Sequence, residues 1–138
     1  MKGADAMSVE FTRSLPAAIE QLPGLLDAIQ AWLEEAGVSG GDIARLMIAF
    51  DEILSNIAKY GGGRIDLAIT IADGMFRATI ADDGPPFDPL ARPAPDTDLD
   101  IDERSIGGLG IHLVREMMDE VVYTYENGQN RLIFSKTF

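Results

Sequence analysis

Cysteine is absent from this chain, and histidine occurs once, at position 112. A disulfide framework, a thiolate nucleophile and a Cys-ligated zinc or iron–sulfur centre are therefore excluded, and any metal must be held mainly by oxygen. Basic residues are scarce as well: 11 Lys and Arg face 23 Asp and Glu, for a formal net charge of -12. Such a surface repels phosphates instead of releasing their counterions, so no nucleic-acid partner is expected. An anionic ligand would have to be held by local devices, namely backbone N–H groups, a few Lys or Arg, and a divalent cation. No apolar run approaches the roughly 20 residues that a membrane span requires, so no membrane partner is expected either. The opening MKGADAMSVE lacks the apolar stretch of a secretory signal, and a cytoplasmic address is the simplest expectation.

What is present fits a single domain over residues 1–138, with 46% apolar residues to build a core. Ser8 to Ser14 alternates Val9 and Phe11 with polar residues, as a half-buried strand does. From Pro16 to Ala36 the apolar residues, from Ile19 through Leu25 and Ile29 to Leu33, recur at helical spacing, and Gly37 is placed to stop them. Pro23 either kinks that helix or marks its true first turn. Ser39 with Asp42 resembles a capping box opening a second helix, whose apolar stripe runs Ile43, Leu46, Met47, Phe50, Ile53, Leu54 and Ile57 and which ends near Tyr60.

Ile65 to Ile71 and Phe76 to Ile80 alternate about Asp73-Gly74, a tight-turn pair. Residues Asp82 to Arg104 are rich in Pro, Asp and Gly without periodicity, and such length predicts a functional or mobile segment, read as a lid over about 83–106. Gly107 to Met118 returns to helical spacing, and Val121 to Tyr125 and Arg131 to Phe134 form a second hairpin about Asn127-Gly128. The order strand, two helices, hairpin, lid, helix, hairpin predicts an α/β (α+β) two-layer sandwich. One layer of helices would cover a mixed, mainly antiparallel sheet.

Three constellations could carry chemistry. Glu52 and Asn56 are four apart on the second helix, so they project from one face about a turn apart, where they can orient a water or hydroxyl and complete the shell of Mg²⁺. The spacing places them opposite the apolar stripe, and taken alone the pair reads first as an ordinary solvated face, because such spacings are common by chance. Asp82-Asp83-Gly84-Pro85-Pro86-Phe87-Asp88 follows a buried strand. A carboxylate there can accept from an exocyclic amine, and Gly84 lets the backbone pass close to a flat base, although a turn leaving the sheet explains it too. Gly107-Gly108-Leu109-Gly110 opens a helix whose free N–H groups and positive end favour phosphate, the rival reading being a flexible helix start.

In order and type the three resemble the GHKL (Bergerat) ATPase superfamily over nearly the whole chain: an N-box Glu-x-x-x-Asn, a first glycine box, a variable lid, and a second glycine box leading a helix. Asp82 to Pro89, and Glu103-Arg104-Ser105 before Gly107 to Ile111, look most like the stand-alone anti-sigma factor serine kinases of the RsbW and SpoIIAB type. The resemblance implies ATP and Mg²⁺ as cofactors. It makes Glu52 the general base, Asn56 the Mg²⁺ ligand, Asp82 the reader of adenine N6, and Gly84 the base-side glycine. Gly108 and Gly110 become the phosphate-side backbone, and Arg104 an arginine approaching the terminal phosphate. Pro86 stands where many relatives have a second glycine, which implies a stiffer hinge.

The partners implied are a small antagonist protein bearing an acceptor Ser or Thr, and a sigma factor; a homodimer stays open. Asn56 to Tyr60 is also similar to the N-box of sensor histidine kinases, but those usually carry Asn where this chain has Glu52. Two alternatives to the kinase remain at this point: a nucleotide-binding module that switches partners without phosphotransfer, and a histidine-kinase-type ATPase domain. His112 reads as a packing or surface histidine and not a phosphoacceptor, and the methionines and Trp32 as core. The acidic alternation Asp96, Asp98, Asp100, Asp102 and Glu103 reads as a solvated loop, or as a docking surface for a basic segment.

Overall fold

A computed structural model describes residues 8–60, 63–91 and 108–138. Strand β1 (Val9–Pro16) leads through a 3-10 turn (Ile19–Gln21) into helix α1 (Leu22–Glu35) and then α2 (Gly40–Tyr60). A hairpin of β2 (Arg64–Ala72) and β3 (Met75–Asp82), a second 3-10 turn (Pro89–Ala91), helix α3 (Gly108–Met117) and a hairpin of β4 (Glu120–Glu126) and β5 (Gln129–Thr137) complete it. The sheet order is β1-β2-β3-β5-β4. All four pairings are antiparallel, so the sheet expected to be mixed contains no parallel pair among the described residues. The two-layer architecture stands.

Local chemistry explains the boundaries. Pro16 closes β1 and does not open the first helix: it still pairs with Arg64, and the Ala17 N–H donates to the Gly63 carbonyl at 2.8 Å, which holds the chain extended. Pro23 sits in the first turn of α1, where its missing N–H costs no intrahelical bond. The helix ends at Gly37, φ +86, with Gly37 N–H donating to Glu34 O and Val38 N–H to Leu33 O, the paired bonds of a Schellman stop. Ser39 Oγ accepts the Asp42 N–H at 3.2 Å, and its hydroxyl donates to the Asp42 carboxylate at 3.1 Å, so the cap read from the sequence forms. At both hairpin tips the two central residues, Asp73-Gly74 and Asn127-Gly128, have positive φ, the requirement of a type I′ turn.

Helix α2 packs between α1 and α3. It presses Leu46, Ala49, Phe50, Ile53 and Leu54 onto the inner face of the sheet, where Ile65, Leu67, Ile69, Phe76, Ala78, Ile80, Leu132 and Phe134 are all buried. At the centre Phe50 meets Phe134 and Phe76 edge-on, with ring centroids 5.3 and 6.1 Å apart. Such contacts add about 0.5–1.5 kcal/mol beyond area burial. Trp32 joins the core's margin and packs against Phe11 at 5.6 Å. The inward alternation continues to the end of β3 and the start of β5. There the two facing positions are Asp82 and Asn130, both buried. The core thus closes on a polar rung, and the candidate site lies at that end.

Candidate functional site

Asp82 and Asn130 face each other across β3 and β5, two residues on from Ile80 and two before Leu132 respectively. Asp82 Oδ1 accepts from the Gly84 N–H at 2.9 Å and from Asn130 Nδ2 at 3.1 Å, whereas no described donor reaches Oδ2. Burial, the largest influence, pushes the Asp82 carboxyl above its ordinary value; the bonds from Gly84 and Asn130 oppose this, and the neighbouring Asp83 charge adds to it. A carboxylate kept in such surroundings with one oxygen uncommitted is placed to accept a ligand's N–H group. Asp83 does a different job. Its Oδ1 accepts the Arg64 N–H at 2.8 Å and ties the end of β3 to the start of β2.

A cleft open to solvent runs over this rung. Ile53, Ile80, Ile111 and Leu132 give it apolar walls, while Asn56, Asp82 and Asn130 supply most of its polar groups. The combination suits a flat heteroaromatic base with an amine at one edge. Asn56 corrects the sequence reading, for it does not lie opposite the apolar stripe but is 6% exposed within it. The reason is helical geometry, since residue 56 follows Ile53 by three and Ala49 by seven and so falls on their face. Glu52 sits half-buried at the margin, where its Oε2 accepts from Asn56 Nδ2 at 3.0 Å. That bond turns the amide so that its nitrogen is occupied, and no described donor reaches its oxygen.

An amide oxygen beside a carboxylate at the cleft edge fits Mg²⁺, which keeps several waters and takes one or two protein oxygens. Among the described residues no group of three His, Cys, Asp or Glu could hold a metal. A cation here would therefore lean on a nucleotide's own phosphate oxygens. Helix α3 begins at Gly108, so Gly108 and Gly110 contribute first-turn N–H groups, and Ile111, next in the chain, lines the cleft. The start of this helix and the Asp82 carboxylate thus border one space. Arg104 and the acidic run Asp96 to Glu103 lie outside the described residues.

Residues 83–91, assigned to the lid from the sequence, are tied to the body instead. Asn130 Nδ2 also donates to the carbonyls of Gly84 at 3.3 Å and Pro85 at 2.9 Å, and Asn130 Oδ1 accepts the Phe87 N–H at 2.9 Å and the Tyr123 hydroxyl. Arg115 Nη1 donates to Leu90 O at 3.2 Å. The rest of the expected lid, residues 92–106, lies outside the described residues. Asn130 is the site residue that sequence reasoning missed. The one available signal was its position two before Leu132 and four before Phe134, an inward place on a strand that should carry an apolar residue. His112, by contrast, is the surface residue expected, 4.0 Å from Glu116 on the same helix.

Residues 15–136 match the family described as the histidine kinase-like ATPase domain. The chain belongs to that family. Within it, the chain is 32% identical over 124 residues to a protein named serine-protein kinase RsbW from Staphylococcus epidermidis, covering 83% of this chain and 78% of that one. The protein of the same name from Staphylococcus aureus is 29% identical over the same shares. A crystal structure of the RsbU and RsbW domains of Rv1364c from Mycobacterium tuberculosis superposes with a TM-score of 0.67 and 19% identity. It covers 94% of this chain, which spans about a third (32%) of that longer one, and at this identity the likeness shows the fold alone. No helix of the described residues is long and apolar enough to cross a membrane.

Proposed function

We propose that this histidine kinase-like ATPase domain is an ATP-dependent protein serine/threonine kinase. In this reading it acts in the cytoplasm as an anti-sigma regulator that phosphorylates a small antagonist protein and sequesters a sigma factor. The observation that carries the reading is the Glu52–Asn56 bond of 3.0 Å at the edge of the cleft that also holds Asp82. In a nucleotide-holding module this carboxylate would serve only to satisfy the buried Asn56 amide, whereas a phosphotransferase also uses it to take the proton of the acceptor hydroxyl.

In the proposed reaction Asp82 Oδ2 accepts the amine of the adenine, Asn56 Oδ1 supplies one ligand to Mg²⁺, and the N–H groups at Gly108 and Gly110 meet the phosphates. Mg²⁺ supplies charge neutralisation to the transferring group when bound. The acceptor hydroxyl oxygen bonds to the γ-phosphorus, the bond from that phosphorus to the β–γ bridging oxygen breaks, ADP departs, and Glu52 takes the hydroxyl proton. The relatives named serine-protein kinase support serine as the acceptor. Arg104 is proposed to approach the terminal phosphate.

The test is phosphotransfer from γ-labelled ATP with Mg²⁺ to the antagonist encoded beside this protein. Label on an antagonist Ser or Thr, lost when that residue is changed to Ala, is the expected result. Nucleotide binding without any label transfer would favour a partner-switching module without chemistry.

A further inference from the structure

Asn130 is buried, 6% exposed, and its carboxamide engages five partners, four in the stretch from Asp82 to Phe87 and one on β4. Nδ2 donates toward the Asp82 carboxylate, Gly84 O and Pro85 O, while Oδ1 accepts from Tyr123 and from the Phe87 N–H. The orientation is fixed by the partners, because the nitrogen faces three acceptors and the oxygen two donors. A flipped amide would lose every bond. Few side chains can do this. A hydroxyl has one hydrogen and a carboxylate none, so only an amide can donate twice in one direction and accept twice in the other.

We propose that Asn130 is the positioning residue that sets base selectivity at this site. Its N–H, together with that of Gly84, saturates Asp82 Oδ1 and leaves Oδ2 as the one acceptor turned to the ligand. The inference rests on the nucleotide reading above and names what enforces it. A purine with an exocyclic amine at its six-position donates to that oxygen. A purine with a carbonyl there sets oxygen against oxygen and is refused, because an unmet buried charge is costly. Asn130 also holds the Gly84–Phe87 segment by three backbone groups, so the wall of the base cleft and its reading group are placed by one side chain.

A second consequence concerns proton affinity. The bond from Asn130 is one of two that hold the Asp82 carboxyl down against the effect of burial. The charged group bearing on that carboxyl is Asp83 beside it, while Asp82 and Asp88 both act on the Tyr123 hydroxyl that Asn130 accepts. That neighbour is acidic, so losing the amide leaves the charged form of Asp82 with the Gly84 N–H alone. Protonated Asp82 presents a hydroxyl, which can donate to a carbonyl and no longer demands an amine.

Mg·ATP and Mg·GTP binding is measured by calorimetry from pH 5 to 8 for the wild-type chain, Asn130→Asp and Asn130→Ala. Thermal unfolding identifies any variant that fails to fold. The wild type should prefer ATP over GTP by about 10- to 100-fold, the worth of one charge-assisted hydrogen bond. Asn130→Asp keeps size and both acceptor roles, and should narrow that preference and move the pH at which ATP affinity falls toward neutrality. Asn130→Ala should do the same if it folds. A residue with a merely structural role would weaken both nucleotides equally and leave the pH profile where it was. Unchanged selectivity and profile in a folded Asn130→Asp overturns this inference while leaving the nucleotide reading in place; failure of the wild type to bind either nucleotide overturns both.

Discussion

Replacing Asp82 with Asn should separate what this carboxylate does for the fold from what it does for the ligand. In the free protein, Oδ1 accepts from Gly84 and Asn130, and the carbonyl oxygen of an asparagine in its place could keep both bonds. Only the charge is lost. Because burial raises the folded carboxyl above its unfolded value of 3.8, Asp82 favours folding fully only below that value, and the contribution is lost as pH rises through the folded pKa. At pH 7 the ionised group is thus a burden, and the ligand-free variant should be at least as stable as the wild type, the difference closing near pH 3. With nucleotide the order reverses, because the variant's amide nitrogen replaces the free Oδ2 and sets donor against donor. Losing a charge-assisted hydrogen bond costs on the order of 1.5–3 kcal/mol, or about 10- to 150-fold in Kd. A wild type at a ligand concentration of about 100 Kd gains about 2.7 kcal/mol, on the order of 10 °C in Tm, and the variant should lose most of it. The assay is thermal unfolding at pH 3 and 7 with and without Mg·ATP, with calorimetry for Kd. A variant that is less stable without ligand and shifted as far as wild type by ATP would refute the argument at both ends.

Glu52→Gln should bind Mg·ATP nearly normally yet transfer phosphate about 10²–10⁴-fold more slowly in single-turnover assays, the usual worth of a general base; wild-type transfer would remove Glu52 from that role. Asn56→Ala should weaken Mg²⁺-dependent binding as well, because an oxygen ligand goes with it, and calorimetry with and without Mg²⁺ distinguishes the two variants. Gly63→Ala should destabilise more than Gly74→Ala, although both glycines have positive φ. A Cβ at 63 would lie 1.8 Å from Asp83 Oδ1, the atom that accepts the Arg64 N–H, while one at 74 meets nothing within 4 Å. Urea unfolding should give about 1 kcal/mol for residue 74 and roughly 2–4 for residue 63, with equal losses counting against the clash. Asp119, held below its ordinary value first by the Thr137 N–H, contributes stability above pH 3.8 that is lost as pH falls through its folded pKa. The stability gap between wild type and Asp119→Asn should accordingly shrink on acidification, and a gap constant from pH 7 to 2 would contradict the assignment.

The parts of the fold that local chemistry decides were legible in the sequence. Asp73-Gly74 and Asn127-Gly128 specify their turns because positive φ at two successive positions leaves few residue choices, and Ser39 with Asp42 specifies a helix start. The error at Pro16 has a matching cause. Helical spacing can be counted from any starting point, but the extension of β1 to Pro16 depends on Arg64 and Gly63, far along the chain. The strandedness of Gln129 to Thr137 beyond the expected Arg131 to Phe134 likewise comes from pairing with the whole of β3.

The site divides along the same line. Glu52, Asn56, Asp82 and Gly84 became candidates because each is marked by its neighbours in sequence, and the fold brings Asn56 and Asp82 to one cleft. Asn130 carries no such mark, since its meaning arises from facing Asp82 across the sheet at a separation of 48 residues. The misplacement of Asn56 is instructive in the same way. A polar residue on a helix invites assignment to the solvent side, yet the stripe of Ala49 and Ile53 passes through position 56. Burying an amide there, at about 1–3 kcal/mol if left unbonded, is tolerable only because Glu52 receives its nitrogen and the cleft receives its oxygen. The same holds for the rung of Asp82 and Asn130, where two more polar groups occupy inward positions that Ile80 and Leu132 show to be apolar elsewhere. Three buried polar side chains at one end of an otherwise apolar core are a cost to folding that packing does not require. Their convergence on one open cleft is the physical reason to place a ligand there, independent of any motif.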